Sequence, residues 1–155
     1  MAAVDASSAK SSANHPPLYV WPQNGDIENR LTGSEWCNCG KCSVMTTPKG
    51  CICCRELSAM KNHADECGVQ CITENTDFQS VCLNREVLKC AWLQLNDFGV
   101  SLGNNVIQMD NRAFRFCAYR QFAIWTVVLH RKDVRKIVPS CVVMKIKELY
   151  PDDQP

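Results

Sequence analysis

Apolar residues recur at helical spacing in three stretches of this chain, and polar punctuation separates them. Val87, Leu88, Ala91, Trp92 and Leu95 follow Asn84, a residue type that caps helix starts, and predict a helix over Arg85–Leu95 packed on the core. A second helix is expected from about Asn111, with Phe114, Cys117, Ala118, Phe122 and Trp125 on one face and Arg112, Arg115 and Arg120 away from it or at its border. Thr126–Leu129 reads equally as the end of that helix or as a strand. In the third stretch Pro139 favours an extended residue before it, and Ser140 is the expected N-cap of a helix carrying Val142, Val143, Ile146 and Leu149, stopped by Pro151. Two shorter signals complete the pattern. Thr73–Asp77 supplies capping residues for a turn lined by Phe78, Val81 and Cys82, and Asn96–Asp110, with Gly99, Gly103 and Asn104-Asn105, reads as a loop or short hairpin.

The first 34 residues lack any such periodicity. They are rich in Ala, Ser, Asn, Pro and Gly and predict a disordered tail, with Leu18-Tyr19-Val20-Trp21 as an apolar island, ahead of one domain over residues 35–151. The start of the chain has neither the cationic residues nor the apolar core of a signal peptide, and no run is long enough to span a bilayer. The expectation is therefore an intracellular, cytoplasmic protein without membrane insertion. A hydrophobic content of 46% and a net charge of +1 describe an ordinary globular chain. From Asn111 to Lys147, however, nine basic residues stand against Asp133 alone, so this half faces something anionic.

Cysteine changes the picture most. Eight of the twelve lie between Cys37 and Cys71, in the runs W-C-N-C-G-K-C, C-I-C-C-R and C-G-V-Q-C. Thiols this close in sequence make strained disulfides, and an intracellular setting keeps them reduced. Zinc takes four thiolates in a tetrahedron, and a short loop turning at Gly40 can wrap several sulfurs around one ion. The run offers more sulfurs than one ion uses, so two metals sharing a sulfur are expected. Cys141, in the first turn of the third helix, is placed where the helix dipole lowers a thiol pKa and is a candidate distant ligand. Cys82 and Cys90 read as core thiols, and His63 and His130 as surface or capping residues.

The order W-C-N-C-G-K-C, C-C-R-E, C-I-T, C-A-Y-R-x-F-x-x-W, V-P-S-C and a closing helix ending in Y-P resembles the intracellular C-terminal ballast domain of the ATP-gated purinergic receptor channel, subtype seven, over about Glu35–Pro151. The resemblance implies an α+β class: a small single zinc-dependent domain, here a cysteine-rich zinc knuckle packed on three helices with little sheet. It implies two zinc ions held by Cys37, Cys39, Cys42, Cys53, Cys54, Cys71 and Cys141, and a guanine-nucleotide site near Arg115 and Tyr119. Cys51, Cys67, Cys82, Cys90 and Cys117 are then spare, with Cys51 the first substitute within the cluster. Two positions depart from the family pattern. A histidine before C-A-Y-R is Phe116 here, and a basic residue after the terminal proline is Asp152. Two zinc ions and seven thiolates leave about −3 to offset, for which Lys41, Arg55 and part of the basic half are available.

The function expected from these features is a zinc-binding regulatory or interaction module, with a guanine nucleotide as ligand, an unidentified protein partner, and no channel activity of its own. The alternative is a zinc-knuckle nucleic-acid binder, carried by the basic half and by Phe114, Tyr119, Phe122 and Trp125 if those rings are exposed. No catalytic motif supports an enzyme, and a closed all-cysteine site leaves no position for an activated water.

Overall fold

A computed structural model describes residues 27–95, 109–129 and 137–152. The Leu18–Trp21 island, His130, the basic residues Arg131, Lys132, Arg135 and Lys136, and most of the Asn96–Asp110 loop lie outside these residues. The helices are α1 (Ser58–Glu66), α2 (Thr76–Phe78, running on as a π-helical turn through Gln79–Leu83), α3 (Arg85–Leu95), α4 (Asn111–Leu129) and α5 (Ser140–Leu149). Side-chain caps explain three of the starts. Asn75 Oδ1 accepts from the amides of Asp77 and Phe78, Asn84 Oδ1 from those of Glu86 and Val87, and Asp110 Oδ1 from that of Ala113. Thr126–Leu129 belongs to α4, so the helix prevails over the β-branched signal.

Among the described residues no strand forms, which corrects the expected α+β class with little sheet to a mostly helical fold. The cysteine segment shows why. Its amides are spent on side chains: Asn38 N donates to Cys53 Sγ, Gly40 N to Cys37 Sγ, Ser43 N to Ser140 Oγ and Met45 N to Cys51 Sγ. A backbone so engaged has few groups left for a ladder.

The core is built where α1 to α5 meet, with α4 packed against α3, α1 and α5. Phe78, Phe114, Phe122, Met60, Leu88, Val142 and Ile146 are fully buried, and Phe78, Phe122 and Trp125 pack edge-on or tilted at about 6 Å between centroids. His63, expected at the surface or as a cap, instead lies 5.5 Å from Trp125 as an edge-to-face pair between α1 and α4. Cys82 is buried as expected, but Cys90 is exposed. It lies two residues beyond the buried Leu88, about 200° round the helix from it. Leu149, counted on the apolar face of α5, is 46% exposed.

Part of the segment assigned to the tail is docked on the domain. Glu28–Leu31 forms a 3-10 turn, from which Arg30 pairs with both carboxylate oxygens of Glu56 at 2.6 and 2.9 Å and donates to the carbonyl of Cys51. Trp36 Nε1 donates back to the carbonyls of Arg30 and Gly33.

Candidate metal centre

Four separate segments bring seven sulfurs together. The loop Cys37–Cys42 turns at Gly40, whose φ of 81° is in the left-handed region, while a Cβ there would meet nothing within 4 Å. Glycine is thus required by the backbone conformation and not by space. The turn carries Cys37, Cys39 and Cys42 toward Cys53, which is held in place by Glu56 accepting from its amide at 2.8 Å. Cys54 comes from the following 3-10 turn, Cys71 from the entry to a second one, and Cys141 from the first turn of α5.

The result is two sets of four. Cys37, Cys39, Cys42 and Cys53 form one and Cys39, Cys54, Cys71 and Cys141 the other, with all sulfurs of a set within 4.8 Å of one another and Cys39 common to both. The Cys37–Cys39 and Cys39–Cys42 sulfurs lie 3.8 and 3.7 Å apart. A tetrahedron with metal–sulfur bonds of about 2.3 Å has edges of about 3.8 Å, so this spacing suits one ion per set. The first set is the more accessible, because Cys37 and Cys42 are half-buried; all four members of the second are buried.

Donors around the sulfurs favour the thiolate form. The amides of Asn38, Gly40 and Ile72 point at Cys53, Cys37 and Cys54, and Thr73 Oγ1 lies 3.0 Å from Cys71 Sγ. As bare thiols the group shares protons unequally. Hydrogen bonds, first from Cys141, hold Cys39 and Cys71 below the ordinary thiol range, and Cys53 is lowered first by Cys39. Cys141 is pushed up, first by its contact with Cys39, and is not the helix-lowered thiolate expected from its position.

Ser140 also differs from expectation. Pro139 occupies the N-cap position and its carbonyl accepts from the amides of Val142 and Val143, while Ser140 is the first helical residue. The Ser140 hydroxyl accepts from Ser43 N at 2.9 Å and donates to Ser43 O, and its own amide donates to the Ile52 carbonyl at 2.8 Å. Three hydrogen bonds therefore sew the start of α5 to the cysteine loop beside Cys42 and Cys141. Nothing in the local sequence announces this, since a serine before a helix signals a cap.

The spare cysteines separate cleanly. Cys51, the expected substitute, is buried but faces the Met45–Thr47 loop, where it accepts from Met45 N at 3.3 Å. Cys82 and Cys117 lie in the core, and Cys67, exposed, accepts from Asn75 Nδ2 at 3.0 Å. Of the expected compensating cations, Arg55 lies near Cys53 and Cys54 but is directed to Asp65 and the Gln70 carbonyl.

Arg115 and Tyr119 stand apart from the sulfurs on α4. Arg115 donates through Nη1 to the carbonyls of Tyr150 and Pro151 and pairs through Nη2 with Asp152. Tyr119 is half-buried, and burial raises its phenol above the usual range. Phe114, Phe122 and Trp125 are buried, so the stacking platform on which the nucleic-acid alternative depended is absent from this face.

A family model described as P2X purinoreceptor 7 intracellular domain matches residues 3–155. The P2X purinoceptor 7 of Rattus norvegicus is 30% identical over 158 residues, which cover 97% of this chain and 25% of that protein. The chain belongs to the P2X purinoreceptor 7 intracellular domain family and is intracellular, as that family is. It spans a quarter of the length of the curated relative it matches. Among the described residues no helix is long and apolar enough to cross a membrane.

Proposed function

We propose that this chain is a zinc-held regulatory or interaction module, in which one zinc ion is bound by Cys37, Cys39, Cys42 and Cys53 and a second by Cys39, Cys54, Cys71 and Cys141. The observation that supports it is the convergence of seven sulfurs in two sets sharing Cys39, at separations that match tetrahedral edges. Zinc in such a closed thiolate site is structural: it replaces the shared protons and fixes four segments at once. The protein contributes the Gly40 turn, the amides directed at sulfur and the Ser140 clamp. No catalytic role is assigned. The guanine nucleotide implied by the resemblance is left out of this reading, because the Arg115 guanidinium is already engaged by the C-terminal segment.

Native mass spectrometry of protein purified with zinc present should count two ions per chain. Cys39→Ser, which removes the shared ligand, should lose more metal than Cys51→Ser, which should keep both. A wild-type protein without zinc, or equal losses in the two variants, would sink the proposal.

A further inference from the structure

Two cations from different helices converge on one carboxylate just past the end of α5. Arg115 Nη2 on α4 lies 3.1 Å from Asp152 Oδ1, and Lys147 Nζ on α5 lies 3.6 Å from Asp152 Oδ2. We propose that Arg115 and Lys147 form an anion site that this chain fills with its own Asp152, so that a phosphate-bearing ligand such as a guanine nucleotide finds the place taken.

The route of the chain supports this. Tyr150 is 2% exposed, its hydroxyl donates to the Leu83 carbonyl at 2.7 Å, and its ring stacks on Phe114 at 4.9 Å. Arg85 sits over both rings. From that anchor Arg115 Nη1 grips the carbonyls of Tyr150 and Pro151 at 3.0 and 2.6 Å, which leaves Asp152 only one residue of freedom before it meets the two cations. A carboxylate tethered so closely competes at high effective concentration. It also repels any second anion at the same place. Phe116, next to Arg115, offers no hydrogen bond; it is 54% exposed and 6.5 Å from Trp92, on the α3 side. Yet Asp152 itself is 63% exposed, so replacing it should leave the fold intact.

The inference stands independently of the zinc reading. Its test is binding of guanosine diphosphate and, separately, inorganic phosphate to the folded chain as purified, followed by NMR titration. The wild type should bind both weakly, and Asp152→Asn should bind both more tightly by about tenfold. Adding Lys147→Gln to Asp152→Asn should remove most of the gain. Zinc content and melting temperature of Asp152→Asn serve as the control that the domain is unchanged. Equal affinity in wild type and Asp152→Asn, or no binding in either, overturns the proposal; so does a gain for the nucleotide without one for phosphate, which would mean that the base and not the anion is being read.

Discussion

Cys51 and Cys53 are both fully buried and stand two residues apart, yet only Cys53 reaches the sulfur cluster. An extended chain would put them on one face, but Cys51 has ψ 70° and its side chain turns back to Met45. The same distinction between burial and engagement governs reactivity. Alkylation of the native, zinc-loaded protein should label the exposed Cys67 and Cys90 and spare Cys82 and Cys117, as read by peptide mass spectrometry. Burial pushes the Cys82 thiol up to about 12 and raises that of Cys117. A thiol whose pKa is higher folded than unfolded contributes stability that is fully present below the unfolded value, about 8.5, and is lost as pH climbs from there toward the folded one. Denaturant unfolding should accordingly show a decline over that window, and Cys82→Ala should make the decline shallower. An unchanged slope would mean that Cys82 ionises equally in both states.

At the scale of elements, α5 closes the molecule by two devices that can be separated. Cys141 supplies a sulfur, and Ser140 supplies a two-way hydrogen bond to Ser43, 97 residues away in sequence. Cys141→Ser should lower the zinc count and destabilise the domain by more than about 4 kcal/mol, the range that accompanies loss of a structural metal. Ser140→Ala should cost about 1–2 kcal/mol with both zinc ions retained, because it removes both hydrogen bonds to the half-buried backbone of Ser43 without touching a proposed ligand. Cys90→Ser, on the exposed side of α3, should stay within about 0.5 kcal/mol of wild type. Calorimetry beside metal analysis distinguishes these outcomes, and full zinc retention in Cys141→Ser would make Cys141 a core thiol. Periodicity and capping residues were enough to read α3, α4 and the body of α5. They do not reveal α1, which buries only Met60 and Ala64, with Leu57 buried at the cap before it. At the first α5 residue the sequence is ambiguous, because a serine there has two uses, and the partner that decides between them, Ser43, is distant.

For the whole molecule, the proposed metal pair, shared among the Cys37–Cys42 loop, the Cys53-Cys54 turn, Cys71 and α5, would make folding and metal binding one process. Structural zinc contributes about 10–16 kcal/mol of apparent binding energy, comparable with or above a domain's stability of about 5–15 kcal/mol. Chelation should abolish the cooperative melting transition seen by calorimetry, and a metal-free sample that melts like the loaded one would refute the coupling. What the sequence by itself determined was the inventory: three helical faces, a thiol-rich run with a glycine at its turn, and motif order sufficient to point to a family and to the seven cysteines that converge. These follow from local periodicity and short-range spacing, which the chain carries wherever it is placed. The division into two sets through Cys39, the turn of the Cys51 side chain back to Met45, the Ser140 clamp and the pairing of Arg115 with Asp152 were decided only in three dimensions. Each depends on which distant backbone group or charge arrives opposite a side chain, and contacts across tens of residues leave no periodic mark in the sequence.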